Sequence, residues 1–455
     1  MKITVKRLAR VAVLLSFLPT YASAETLQEA VQNVVQRHPD VRSAAHNRLA
    51  RDKEVVQARS GYYPQLNVEA GAGYDDVKKP IDDELSPWEA RISLRQNLFA
   101  GFSTMNEVER QKARVKSQAF LTQSSAENTA LETIKTYLEV LKNQEYKALA
   151  DENLILHERI GDQIGLRSES GVGRGADQSQ IQSRLGLARS NVIVTEQNLI
   201  DAQTNYHALL GHEPVNLSVP QSVVELLPKS LSDAEQRAIA DHPTLKSAIA
   251  DLKARFKQDE VAKSTFWPIV DFEIDKIFED ETSYSYDERE DLRLFLRLRY
   301  NLFNGWKDKA RKEETEELIR EAIEIKNHTF RQVIESIRLS WQAFQSANRR
   351  IAYLKERLQY SASTANAYTQ QWNINERTLL DVLDAEAERI DAARQLVAAE
   401  FDGLYSHYRL LNGMGKLIPS LGLNLPDEGA VDEDDDYKDY KVDTSLVEKL
   451  FKQLV

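Results

Sequence analysis

Over residues 291–306 the chain reads DLRLFLRLRYNLFNGW, and apolar positions recur at every second residue. Leu292, Leu294, Leu296, Leu298, Tyr300 and Leu302 fall on one face of a strand, and Arg293, Phe295, Arg297, Arg299 and Asn301 on the other. A soluble sheet would bury the leucines on a core; a barrel in lipid would turn them outward and keep the arginines in a wet lumen. Taken alone, the segment supports either reading. Three further stretches alternate in the same way, over residues 64–77, 88–99 and 268–280. The last sets Val270, Phe272, Ile274 and Phe278 against Asp271, Glu273 and Asp275, with Lys276 interrupting the apolar side. Polar loops, 78–87 and 281–290, join the stretches in pairs. The pattern predicts two β-hairpins, 64–99 and 268–303. Their polar faces carry Arg91 and Arg95 in the first, and the three acids opposite Arg293, Arg297 and Arg299 in the second, a mixed-charge wall suited to a lumen.

Each hairpin leads into a different periodicity. Residues 102–170 and 306–372 read as helices of about 70 residues, hence about 100 Å each at the α-helical rise. No Gly or Pro lies between Ser103 and Ile160. A shorter helical stretch precedes each hairpin, broken at His38-Pro39 and at His242-Pro243, and another follows each turn. Helices this long are not stable alone and need lateral partners. The whole order recurs at one spacing: His38-Pro39 and His242-Pro243, Pro64 and Pro268, N-L-F-x-G-F at Asn97 and N-L-F-x-G-W at Asn301, Asp177 and Asp381, each pair 204 residues apart. An internal duplication is the expected origin. It divides the chain into a first repeat, 25–211, with its turn at 171–176; a proline-containing linker, 212–232; a second repeat, 233–425, with its turn at 373–380; and an acid-rich tail, 426–455, expected to lack fixed structure.

Composition narrows the class. A net charge of −12, 29% charged residues and negative mean hydropathy exclude a bundle of membrane-spanning helices, but not a barrel, whose alternating strands barely raise hydropathy. Acidic balance argues against nucleic-acid binding. The absence of cysteine removes disulfides, thiol nucleophiles and thiolate metal sites. Lys2, Lys6, Arg7 and Arg10, the apolar run 11–18 and Ala22-Ser23-Ala24 read as a secretory signal over residues 1–24. Four strands cannot close a barrel, and an open edge in lipid leaves backbone groups unpaired at several kcal/mol each. Oligomerisation is therefore expected, and three copies would supply twelve strands. No hydrolase, phosphate-binding or metalloenzyme constellation occurs, so neither an enzyme activity nor a cofactor is predicted. His38 and His242 read as helix breaks, and Gly171-Val-Gly-Arg-Gly175 lacks the preceding strand that a phosphate loop needs.

Residues 372–385, WNINERTLLDVLDA, are similar to the G-x-R-T-x-x-D-V-L-D-A signature of the TolC family of outer-membrane channel-tunnels, with Asn375 where that family usually has Gly. Asn also tolerates a left-handed φ. The N-L-F-x-G-(F/W) repeats match the family as well, and the resemblance covers nearly all of residues 25–425. It implies a mixed α and β membrane protein: a homotrimer whose twelve-stranded barrel sits in the outer membrane of a Gram-negative bacterium and continues into a coiled-coil tunnel through the periplasm. By the same resemblance, Asp381 and Asp384 would form carboxylate rings at the tunnel entrance. They share a helix face, would favour cations and could hold a divalent ion; helix N-terminal residues favoured by the dipole are the plainer alternative. Arg377, Trp372 and Asp177 align with a gate latch, although Trp372 stands where the family commonly has Tyr and offers only an N–H. The implied partners are a periplasmic adaptor (a membrane fusion protein) and an inner-membrane ABC or other transporter. The implied cargo is a protein of type I secretion or, alternatively, a small toxic compound. A soluble periplasmic coiled-coil scaffold is the reading from a different class.

Overall fold

The computed structural model describes residues 24–78, 83–170, 175–280 and 288–431. The signal segment, most of the glycine-rich turn, the tips of both hairpins and the acidic tail beyond residue 431 lie outside the described residues. The helices are α1 (Leu27–Arg37), α2 (Pro39–Arg59), α3 (Ser103–Glu169), α4 (Gly175–Leu210), α5 (Leu231–Asp241), α6 (Pro243–Lys263), α7 (Lys307–Asn373), α8 (Leu379–Gly413) and the short α9 (Leu417–Ser420). The strands are β1 (Gln65–Ala72), β2 (Asp75–Val77), β3 (Asp83–Leu85), β4 (Trp88–Ala100), β5 (Ile269–Asp280) and β6 (Arg289–Arg299).

Both long helices, α3 and α7, are 67 residues, about 100 Å at 1.5 Å per residue. The breaks before them follow from the prolines. His38 and His242 are extended N-caps (φ −61° in each), and Pro39 and Pro243 occupy the first helical position, where a missing N–H costs nothing. α3 packs against α2, α4, α6 and α8; α7 packs against α5, α6 and α8. The largest core lies near mid-height of the long helices. There Ile134 and Tyr137 of α3 and Ile337 of α7 meet Tyr206, Tyr408, Leu411 and Leu417. Glu127 is buried beneath it and accepts the backbone N–H groups of Leu417 (2.9 Å) and Ile418 (3.0 Å), which pins α9 to α3. Burial pushes the Glu127 carboxyl up to about 7 against these bonds. A second core closes the far end, where Ile160 and Ile164 of α3, Ile181 and Leu185 of α4, Trp372 of α7 and Leu379, Val382 and Leu383 of α8 come together.

The two hairpins do not stay separate. They join into one antiparallel sheet in the order β1-β4-β5-β6, with β4 paired to β5. The register puts Asn97, Arg95, Ser93 and Arg91 opposite Asp271, Glu273, Asp275 and Ile277. It also puts Asp271 and Asp275 opposite Arg297 and Arg293. All eight charged positions predicted for the polar face lie on that face. The other face is apolar and open: Leu66, Val68, Ile92, Leu292, Leu294, Leu296 and Leu298 are exposed, Leu296 at 70%. The outer edges of β1 and β6 carry no strand among the described residues.

Two expectations about the strands need correction. β6 ends at Arg299, so residues 300–303 are not strand although the alternation runs through them; β5 begins at Ile269, opposite Arg299, and leaves nothing to pair with. The stretch expected as loop 78–87 carries part of a small ribbon, β2 with β3, that extends the first hairpin. It is rich in acids and shows no alternation that would have signalled it.

Strand passes into long helix twice by the same device. Gly101 (φ 59°) and Phe102 (φ 65°) are both left-handed, as are Gly305 (φ 68°) and Trp306 (φ 68°). A positive φ on an aromatic residue is strained, and the rings are held by their neighbours. Phe102 lies edge-on to Phe99 at 5.3 Å and to Trp267 at 6.4 Å, and Trp306 edge-on to Phe303 at 5.6 Å.

Candidate functional site

Two places collect the predicted site residues: the polar face of the sheet and the far end of the helices, about 100 Å apart along α3 and α7.

On the sheet, Asp271 is fully buried and gathers three donors. Arg95 donates at 2.7 Å from β4, Asn97 at 2.8 Å, and Arg299 from β6. Glu273 accepts from Arg297 at 2.7 Å and from Arg299 at 3.3 Å. Two acids of β5 thus stitch both neighbouring strands through charge-assisted bonds. Arg293 departs from the expected pairing: it bonds Asp291, two residues along its own strand, at 2.8 Å, although Asp275 lies opposite. A cleft of about 260 Å³, lined by Tyr63, Gln65, Arg95, Asn97 and Asp271, opens beside this cluster at the base of the sheet. Lys276, the break in the apolar face, reaches across the hairpin to Glu290.

At the far end, α7 turns into α8 through a left-handed residue. Asn375 has φ 64°, as its place in the signature predicts. The turn closes with Glu376 N–H to the Gln371 carbonyl (2.9 Å) and Asn375 N–H to the Trp372 carbonyl (3.0 Å), a Schellman arrangement. Thr378 then caps α8. Its hydroxyl and its backbone N–H both donate to the Asp381 carboxylate (2.8 and 3.1 Å), and the Asp381 N–H returns to the hydroxyl (3.3 Å). The Thr378 hydroxyl, then its N–H, hold the Asp381 carboxyl below the usual carboxylate range, so it stays ionised at neutral pH. Asp384, one turn on, accepts from Arg184 of α4 at 2.7 Å. Sequence reasoning missed Arg184; it lies 200 residues from its partner, and no local pattern marks it.

The three latch candidates are not brought together within one chain. Arg377 donates to Gln371 at 2.9 Å and lies over the Tyr368 ring at 4.3 Å, not against Asp177. Trp372 is only 5% exposed and belongs to the second core, where the Arg167 guanidinium covers its ring at 4.5 Å. Asp177 sits in the first turn of α4, partly exposed. Further up, α8 is tied to α3 by Arg389–Glu152 (3.0 Å) and to α7 by Arg357–Asp391 (3.0 Å).

Among the described residues no helix is long and apolar enough to cross a membrane, an observation that bears on helices and not on the sheet. The model of the outer membrane efflux protein family matches the chain twice, over residues 30–212 and 235–415. The chain is 23% identical over 436 residues to the outer membrane efflux protein BepC of Brucella suis, with 92% of each covered. It is 23% identical over 430 residues to the outer membrane protein TolC of Escherichia coli, covering 89% of this chain and 85% of that one. It is 21% identical over 432 residues to the proteases secretion protein PrtF of Dickeya chrysanthemi, covering 89% and 91%. Its fold is that of the solved Campylobacter jejuni CmeC outer membrane channel, with a TM-score of 0.76, 12% identity and 86% of each chain covered.

Proposed function

The chain belongs to the outer membrane efflux protein family, non-enzymatic conduits of the outer membrane that reach into the periplasm, and on that premise we propose that it is the exit duct of a type I protein secretion system. The observation that carries the conduit reading is the sheet: one face of exposed leucines, valines and isoleucines, an opposite face of stitched charges, and two edges that pair with no strand among the described residues. An edge open to lipid leaves backbone N–H and C=O groups unpaired, so further copies must supply the missing strands. Three copies close twelve strands around the charged face, and the paired 67-residue helices form the tunnel below. A duplication of the half-chain, supported by the doubled family match and the equal long helices, would supply both hairpins. A periplasmic adaptor and an inner-membrane ABC or other transporter would complete the pathway.

Secretion rather than efflux rests on the acid-rich C-terminal extension and on the likeness to PrtF. Small-molecule efflux is the second reading, favoured by the likeness to BepC. Cell fractionation tests the conduit: the protein is expected in the outer membrane as a trimer that falls to monomer only on heating. Recovery as a soluble periplasmic monomer would replace this reading with a coiled-coil scaffold. Deletion separates the two cargo classes, because loss of a protein from the medium supports secretion and increased sensitivity to toxic compounds supports efflux.

At the periplasmic mouth, Asp381 contributes one carboxylate per chain and Arg377 acts as the latch, reaching Asp177 once the chains assemble. Replacing Arg377 by Ser should raise single-channel conductance in planar bilayers. A variant with wild-type conductance would remove Arg377 from the gate.

A further inference from the structure

The proposed mouth carries two acids one helical turn apart on α8, Asp381 and Asp384, but the structure treats them differently. Among the described residues, the ionised Asp381 carboxylate bonds to its own helix cap and makes no ion pair, Arg377 acting on it at longer range. Asp384 is cancelled by a cation from the other helical hairpin, with Arg184 Nη2 at 2.7 Å from Asp384 Oδ1. Packing sets this pairing. Arg184 is preceded on α4 by Ile181 (0% exposed) and followed by Leu185 (6%). Asp384 follows Val382 (1%) and Leu383 (0%) on α8. All four apolar residues belong to the same core, which fixes the two helices in register and leaves the charged pair at its rim. The pair itself is solvent-accessible, with side-chain exposures of 32% for Arg184 and 58% for Asp384. An exposed ion pair of this kind adds little to stability, so its consequence lies in the charge it presents.

Resting on the conduit reading, we infer that Arg184 is a specificity-determining residue: it neutralises Asp384 and leaves Asp381 as the carboxylate of this helix turn that, among the described residues, has no ion-pair partner within contact distance. In a closed ring of chains the effect repeats in every copy. The mouth would then carry one ring of net negative charge where the sequence shows two rings of acid. Solutes with clustered negative charge meet half the repulsion that the acids alone suggest, and divalent cations meet one ring rather than two.

The test is ion selectivity of the full-length trimer in planar bilayers under a potassium chloride gradient, with trimers checked beforehand by gel mobility. Arg184→Gln frees Asp384 and should raise the cation-to-anion permeability ratio by about threefold, since an added charge a few ångströms from the path shifts local ion concentrations by that order. Asp384→Asn leaves Arg184 bare and should move the ratio in the opposite direction. The double variant, Arg184→Gln with Asp384→Asn, should return to the wild-type ratio. An unchanged ratio in Arg184→Gln overturns the inference. So does a rise in conductance with no change in ratio, which would make the pair a mechanical tie only. Absence of any channel from the wild-type protein would overturn the conduit reading, and this inference with it.

Discussion

Replacing Gly101 by Ala is expected to cost about 4 kcal/mol and to abolish heat-modifiable trimers, whereas the same change at Gly305 costs about 1–2 kcal/mol. The two glycines hold equivalent places in the repeated N-L-F-x-G-(F/W) turn, and both are left-handed, at φ 59° and 68°. Their surroundings differ. A Cβ on Gly101 would lie 2.5 Å from the Ser264 carbonyl oxygen and 2.7 Å from Trp267 Cβ, where backbone must move. A Cβ on Gly305 meets nothing within 4 Å. The first turn is wedged against the short segment that links α6 to β5; the second projects from the end of β6. Only the left-handed strain, about 1–2 kcal/mol, remains at Gly305. The measurement is trimer yield and the midpoint of thermal dissociation in detergent for both variants. Equal losses at the two positions would show that backbone strain, and not the close approach to Ser264, sets the requirement for glycine.

Leu296→Arg tests which way the sheet faces. Leu296 is 70% exposed near the middle of β6, among Leu292, Leu294 and Leu298. If that face met water, the substitution would change stability by no more than about 0.5 kcal/mol. Against lipid, an arginine near the bilayer midplane costs about 2–4 kcal/mol. The expected result is a loss of that size in urea unfolding of the membrane-reconstituted protein, together with poor insertion. The matched change Phe295→Arg, on the polar face beside Arg293 and Arg297, should be tolerated. Equal tolerance at both positions would put the leucine face in water and remove the barrel.

Much of this architecture is legible in the chain because its signals are long and redundant. A helix of 67 residues announces itself by the breakers it lacks. The strand faces follow from period-two alternation, and the equivalence of the halves from a fixed offset. The signature even specified the left-handed Asn375. What stayed hidden depends on pairings between distant segments. That Asp271 gathers Arg95 and Arg299, but Arg293 prefers Asp291 to the Asp275 opposite, is decided by side-chain reach and not by register. The Arg184–Asp384 bond follows from how α4 and α8 dock. Trp372 reads as a gate residue in a motif and as a core residue in the fold, because the same position closes the apolar cluster where four helix ends meet. The alternation overstates the length of β6 because its apolar period outlasts the strand it pairs with.

The equal length of α3 and α7 has a consequence for how such a chain can change over time. Both helices start from the same sheet and end in the same apolar cluster, so neither can lengthen alone. Inserting one residue in α3 would turn everything beyond it by about 100° and shift it by about 1.5 Å, pulling Ile160 and Ile164 away from Trp372 and Leu383. Viable changes in span would have to arrive in both rails together, in steps of about seven residues that restore the facing side chains. The distance between the sheet and the apolar cluster at the far end is thereby inherited as a fixed measure.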